Sequence, residues 1–138
     1  MVWDGDCSFC RYWIDYWKKM SGSSIQFEPY QEVAKDFPDI EEQNFKEAVR
    51  FIATDGLVYS GPDAAYRSLY HLEKFKWLHR SYANNAIFRN ISDHLYQWIA
   101  NNRNFCFRIT KFLFGSDPES LKPFWFIYLF VLLYILLI

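Results

Sequence analysis

Residues 4–10 read Asp4-Gly5-Asp6-Cys7-Ser8-Phe9-Cys10 and follow a very short apolar opening, Val2-Trp3. The apolar pair is typical of the end of a β-strand, and a helix that begins near Cys7 would place both sulfurs on its first turn. Unpaired amide N–H groups and the positive end of the helix dipole favour a thiolate over a thiol there. The stretch therefore predicts a strand-to-helix junction at which two cysteines can bond to each other.

The residues after this motif predict alternating helices and strands. Aromatic residues recur at helical spacing over residues 8–20, and apolar and polar residues alternate over residues 25–30, as in a strand. A short helix over residues 31–37 should end before Pro38. Residues 39–44 are polar and are expected to form a connection.

A hairpin is predicted next. Residues 49–53 and 57–59 have the composition of strands, and Asp55-Gly56 between them is a strong short signal for a hairpin turn. Pro62 favours a helix that begins around Gly61, because proline suits the first helical position.

The chain after residue 74 is predicted to be mostly helical. We expect a loop over residues 75–80, followed by amphipathic helices over residues 87–101 and 105–114. Residues 116–119 have the composition of a fresh helix start that leads into an apolar tail.

The resulting order, β-α-β-α-β-β-α followed by extra helices, defines a fold class. A β-α-β unit needs a right-handed crossover and pairs its strands in parallel, and the hairpin adds two antiparallel strands. We therefore predict an α/β fold: a thioredoxin-like four-stranded mixed sheet with flanking helices, extra C-terminal helices and an apolar C-terminal helix. The expected domains are a thioredoxin-like domain with its helical extension over residues 1–115, and a linker with a transmembrane helix over residues 116–138.

Composition limits the class of protein. The chain has 138 residues, is 51% hydrophobic and 22% aromatic, and can bury the core of one domain. The net charge of −1 and the lack of any block of like charge argue against nucleic acid as a partner. Three cysteines without a signal peptide fit a reducing compartment and a redox or metal pair rather than a secreted disulfide scaffold. No cofactor motif is found.

The C-terminal tail is the second strong signal. Residues 124–138 are all apolar or aromatic and would make a helix of about 22 Å, against a hydrocarbon core of about 30 Å. We interpret the tail as a transmembrane helix that continues beyond this sequence, with a buried or interfacial helix as the alternative. Basic residues before the tail predict that the preceding domain faces the cytoplasm; they are Arg103, Arg108, Lys111 and Lys122.

Residues 4–10 resemble the D-G-x-C-x-x-C signature of the DCC family of predicted thiol–disulfide oxidoreductases. Residues 59–65 and 96–103 are similar to that family's strand with a Ser-Asp-Ala helix start and to its late helix, so the resemblance covers residues 1–115. It implies a thioredoxin-like fold, protein-disulfide reductase-type activity on protein or small-molecule thiols and disulfides, and the site residues Asp4, Cys7 and Cys10.

The expected roles follow from position. Cys7 is the attacking thiolate, because it is nearer the helix N-terminus, and Cys10 is the thiol that resolves the mixed disulfide. The carboxylates of Asp4 and Asp6 disfavour a second negative charge nearby, and Arg11 offsets them in part. Asp4 is interpreted either as a proton acceptor for Cys10 or as a cap of the turn.

Other interpretations stay open. Thioredoxin-like enzymes usually place a cis-proline before the third strand, opposite the cysteines, and residues 45–48 contain no proline. The main alternative is therefore a non-catalytic binding or anchoring module of a larger membrane protein. A zinc site normally needs four ligands, and the three histidines show no paired spacing. Asp4 and Asp6 also match the D-x-D of haloacid dehalogenase-type phosphatases, which need a late acidic pair that this sequence lacks.

Overall fold

Four short strands form one mixed sheet in the computed structural model, which describes residues 1–121 and 125–137. They are β1 (Val2–Trp3), β2 (Glu28–Pro29), β3 (Arg50–Ile52) and β4 (Val58–Ser60), in the order β2-β1-β3-β4. β1 pairs in parallel with β2 and antiparallel with β3, and β3 pairs antiparallel with β4. The predicted four-stranded mixed sheet is confirmed.

Helices precede, connect and follow these strands. The predicted hairpin is confirmed, because Gly56 adopts a φ of 87° in the turn between β3 and β4. The helices predicted over residues 8–20, 87–101 and 105–114 are confirmed within one or two residues at each end. The described α-helices are α1 (Ser8–Ser21), α2 (Tyr30–Val33), α3 (Glu42–Glu47), α4 (Gly61–Tyr70), α5 (Lys76–Asn84), α6 (Ala86–Asn101), α7 (Arg103–Phe114) and α8 (Trp125–Leu137).

The sheet separates two clusters of buried side chains. Successive residues of a strand point to opposite faces, so Trp3 and Val2 of β1 enter different clusters. The Trp3 cluster includes Ile14 of α1 and Ala64 of α4. Val2 packs instead with Tyr30 of α2 and Phe45 of α3. The two-residue strand β1 is thus buried on both faces.

The predicted polar connection over residues 39–44 is wrong, because α3 begins at Glu42. Its Phe45 is 1% exposed, and the Phe45 ring stacks on Tyr30 with the ring centroids 5.9 Å apart. Burial of one aromatic side chain stabilises this short helix, although its other residues are polar.

Two further predictions, for residues 75–80 and 116–119, are wrong. Residues 75–80 form the end of a 3₁₀ turn and the start of α5 rather than a loop, because Tyr82 of α5 stacks on Tyr66 of α4 at 4.6 Å between centroids. Residues 116–119 do not begin a helix. The Asp117 carboxylate accepts hydrogen bonds from the Glu119 N–H and the Ser120 hydroxyl, which closes a local turn.

Helices α6 and α7 leave one apolar face exposed. The side chains that they bury against the rest of the chain are small, as at Ser92, Cys106 and Thr110. Large apolar side chains on the other face are between 39% and 74% exposed. We call this face the exposed stripe; it consists of Ile87, Ile91, Leu95, Trp98, Phe105, Ile109 and Phe112.

The apolar C-terminal helix is present as α8. Its Tyr128 stacks on Phe112 of the exposed stripe, with the ring centroids 4.7 Å apart. Among the described residues, no helix has both the length and the apolarity to cross a membrane, so the predicted transmembrane helix is not supported. Lys122 of the predicted basic set, and Phe124 and Ile138 of the predicted apolar run, lie outside the described residues.

The burial of Phe45 predicts a large loss of stability on truncation. Phe45→Ala should lower the free energy of unfolding by about 3–5 kcal/mol, because it removes a filled aromatic site from the Val2 cluster. Urea unfolding of the full chain in mild detergent measures the change. Phe105→Ala is the matched control, since Phe105 is 51% exposed, and it should cost less than about 0.5 kcal/mol. Equal losses for the two variants would contradict the assignment of Phe45 to the core.

Candidate active site

The two cysteines lie at the junction of β1 and α1. Cys7 is the N-cap of α1, with extended backbone angles of φ −83° and ψ 105°. Cys7 and Cys10 are joined by a disulfide, with their Cα atoms 5.2 Å apart. Both are half-buried. The predicted strand-to-helix position of the pair is thus observed.

Cys7 caps the helix through its sulfur. The Cys10 N–H donates to Cys7 Sγ at 3.1 Å, where a serine or aspartate oxygen would usually accept. The first turn of α1 contains no acidic side chain. The positive end of the helix dipole is therefore not offset within α1, and it favours negative charge on Cys7 Sγ once the disulfide is reduced.

Gly5 is required for space rather than for an unusual backbone conformation. Among the described residues a positive φ is found at four other glycines and not at Gly5. A Cβ at this position would lie 2.9 Å from Pro29 Cβ and 2.8 Å from Gln31 Oε1. The same Gln31 oxygen accepts a hydrogen bond from the Gly5 N–H at 3.1 Å. The close approach of the β2–α2 junction therefore leaves no room for a side chain at position 5.

Asp4 is held in place by three groups. Its Oδ1 accepts hydrogen bonds from the Asp6 N–H at 3.1 Å and from Gln31 Nε2 at 3.2 Å, while Oδ2 lies 3.7 Å from Arg103 Nη1. The Asp6 contact closes a local turn, which is one of the two roles considered for Asp4. The Asp4 side chain is 17% exposed, whereas Asp6 is exposed to solvent.

Two residues of this network are missed by the sequence analysis. Arg103 pairs with Asp4 and also donates to the Glu47 carbonyl at 2.5 Å, so it ties α7 to the cysteine turn and to the end of α3. Gln31 bridges Gly5 and Asp4. They lie 99 and 27 positions from Asp4, and no local pattern indicates either contact. Arg11, expected to offset the carboxylates, donates to the Gly5 carbonyl at 2.6 Å.

An apolar cavity of about 440 Å³ lies behind the pair. Cys10, rather than Cys7, is in its wall, and Asp4 and Arg103 are at the same site. The remaining lining is aromatic and aliphatic and comes mainly from α1, α4 and α6, with further residues from β1, α3, α5 and the segment before β3. Tyr96 of α6 is one of these residues; its hydroxyl accepts a hydrogen bond from the Val49 N–H at 3.3 Å, and burial raises the pKa of its phenol. Tyr96 therefore remains neutral well above pH 7.

The segment before β3 is the C-terminal part of α3 followed by Ala48 and Val49, both of which line the cavity. All peptide bonds among the described residues are trans. The cis-proline of thioredoxin-like enzymes thus has no counterpart in this segment. Groups of three or more potential metal ligands are also not found in the described part of the chain. The third cysteine, Cys106, is free and buried in α7.

A mixed four-stranded sheet with a Cys-x-x-Cys disulfide at the start of its first helix defines the class of dithiol–disulfide domains. The comparison with family models agrees: residues 1–109 match the model described as DCC1-like thiol-disulfide oxidoreductase. The match covers most of the chain, so the chain belongs to this family. No curated protein and no solved structure was found to match it.

The close packing around Gly5 predicts that even a methyl group is harmful there. Gly5→Ala should lower the free energy of unfolding by about 1–3 kcal/mol, because either Pro29 or Gln31 must move away. Urea unfolding of the full chain in mild detergent measures the change. Ser8→Ala, at an exposed position three residues along the chain, is the control and should stay within about 0.5 kcal/mol of wild type. An unchanged free energy of unfolding for Gly5→Ala would contradict this prediction, because it would mean that Pro29 or Gln31 can move without destabilising the fold.

Proposed function

We propose that this domain is a thioredoxin-like thiol–disulfide oxidoreductase of the protein-disulfide reductase type. The single observation that carries the proposal is the Cys7–Cys10 disulfide on a helix N-terminus whose first turn has no acidic side chain. This arrangement favours one thiolate of the reduced pair and keeps the second sulfur within bonding distance.

In the proposed reaction, the Cys7 thiolate attacks one sulfur of a substrate disulfide. The substrate S–S bond breaks, a mixed disulfide with Cys7 forms, and the first substrate thiolate leaves. Cys10 then loses its proton and attacks Cys7 Sγ, which releases the second substrate thiolate and restores the Cys7–Cys10 disulfide. The substrate gains two electrons and the pair loses two. Two molecules of an external thiol, such as glutathione, reduce the pair again and are joined to each other in a disulfide.

We assign Asp4 as the proton acceptor for Cys10 in the second step. Asp4 and Cys10 line the same cavity, which supports this role. The competing role is purely structural, since Asp4 also closes the turn through the Asp6 N–H. A non-catalytic module is the alternative for the whole domain, and the missing proline before β3 favours it.

Trapping with oxidised glutathione, which loses one reduced glutathione on attack by a thiolate, tests the proposed roles of the cysteines. Cys10→Ser should accumulate a stable glutathione adduct at Cys7, because the resolving thiol is absent, and Cys7→Ser should form roughly tenfold less adduct. Intact-protein mass spectrometry measures both. Cys106→Ser is the control, since that thiol is buried in α7 and should not affect exchange. A wild-type pair that stays in one redox state across a glutathione titration would favour the non-catalytic module.

We further propose that the domain is attached to a membrane through its C-terminal apolar segment and faces the cytoplasm. The described residues of α8 are all apolar or aromatic, and α8 contacts the exposed stripe through Tyr128 and Phe112. A contiguous apolar surface of this kind is typical of helices that lie in the membrane interface. The basic residues Arg103, Arg108 and Lys111 of α7 support the cytoplasmic orientation.

Flotation with phosphatidylcholine vesicles tests the attachment and the contribution of the stripe. The full chain should float with the vesicles. Ile91→Glu/Leu95→Glu should lower the partition coefficient at least about tenfold, because two apolar contacts with lipid are lost and two charges are added.

The matched control is Asn90→Glu/Gln97→Glu, which adds the same charge at exposed polar positions of the same helix and should partition like wild type. If wild type stays at the bottom of the gradient, membrane attachment is wrong. If the two double variants float equally, the stripe does not contribute to it.

A further inference from the structure

We propose that the cavity behind Cys10 binds a neutral, flat aromatic ligand with one hydroxyl group, of the phenol class, and that this ligand covers Cys10. The proposal adds a binding site and a ligand class to the proposed function. Only the effect of the ligand on thiol–disulfide exchange rests on that proposed function. It is carried by the volume of the cavity, its mostly apolar lining and the charged pair Asp4 and Arg103 among the lining residues.

The cavity has the size of a site for a small organic molecule. Its volume of about 440 Å³ is within the range of ligand pockets, which run from roughly 300 to 1,000 Å³. The cavity is partly open to solvent, so a small molecule could enter it.

The side chains that line the cavity favour a flat, apolar ligand. Aromatic side chains line the cavity from several directions, including Trp13 and Trp17 of α1 and Tyr96 of α6. Aliphatic residues of α4 and α5, such as Leu69 and Leu78, complete the walls. Aromatic rings stack favourably on such surfaces, and an ionised ligand would lose its hydration there without compensation.

The polar end of the ligand is specified by Asp4 and Arg103. Both line the cavity, and they offer an acceptor and a donor 3.7 Å apart. A hydroxyl group can donate to the Asp4 carboxylate and accept from the Arg103 guanidinium, which carries five N–H donors. An anionic group on the ligand would be attracted by the Arg103 guanidinium but repelled by the Asp4 carboxylate. A neutral hydroxyl therefore fits the pair better than a carboxylate.

Cys10 links the ligand to the chemistry. Because Cys10 rather than Cys7 is in the cavity wall, a bound ligand covers the resolving sulfur and leaves the attacking sulfur accessible. In the reduced protein, occupancy should slow alkylation of Cys10 and should prolong any mixed disulfide at Cys7. The ligand would thus control the second step of exchange and not the first.

Three naphthalene probes test the ligand class, with quenching of tryptophan fluorescence in the full chain as the readout. 1-Naphthol should bind. Naphthalene and 1-naphthoate should each bind at least about tenfold more weakly, the first because it lacks the hydroxyl and the second because its charge must be desolvated beside Asp4. Asp4→Asn should reduce the discrimination against 1-naphthoate. Equal affinities for the three probes, or no binding of 1-naphthol, would overturn the proposal.

Filling the cavity provides the matched comparison. Ala65→Phe places a ring at a cavity-lining position of α4 and should abolish binding of 1-naphthol, whereas Ala83→Phe, at an exposed position of α5, should not affect it.

In the reduced wild type, saturating 1-naphthol should protect Cys10 from iodoacetamide and leave Cys7 reactive. Equal protection of both cysteines, or of neither, would refute the link to Cys10. Because the binding readout requires no exchange activity, a catalytically inactive domain that still binds 1-naphthol would refute only the proposed function.

Discussion

The packing of β1 is the constraint on which the site depends. This strand has only two residues, yet it is hydrogen-bonded on both edges, and its two side chains enter separate buried clusters. Trp3 is 5% exposed and Val2 is 4% exposed, so the backbone that leads into Asp4 has little freedom to move. Because β1 is held on both faces and both edges, it fixes the position of the turn that follows it. The cysteine pair lies in that turn and is positioned with it.

The turn itself carries opposing charges that the surrounding helices balance. The N-terminus of α1 favours a thiolate at Cys7, while Asp4 and Asp6 bring two carboxylates to the same turn. Arg103 from α7 and Gln31 from α2 contact Asp4, so part of its charge is compensated by residues distant in sequence. The helices after the sheet are therefore part of the electrostatics of the site. A chain that ended after α4 would keep both cysteines and lose the arginine that faces Asp4.

The elements that depend on local sequence signals could be predicted, whereas the elements that depend on long-range packing could not. The cysteine junction, α1 and the Asp55-Gly56 turn follow from spacing and turn chemistry within a few residues, and each was predicted correctly. Helices α3 and α5 depend on Phe45 stacking on Tyr30 and on Tyr82 stacking on Tyr66, which periodicity cannot indicate. The requirement for glycine at position 5 arises from β2 and α2, more than 20 residues away.

Helix α6 contributes residues both to the cavity and to the exposed stripe. One side contributes Tyr96, Ile99 and Ala100 to the cavity, and the other contributes Ile91 and Leu95 to the exposed stripe. If the stripe lies on a bilayer, the cavity is lined by the same helix that contacts lipid. A neutral phenol partitions into a membrane more readily than a charged metabolite does. The proposed attachment and the proposed ligand class therefore support each other, because the surface that would hold the domain at the membrane would also bring the cavity next to the phase in which such a ligand is most abundant.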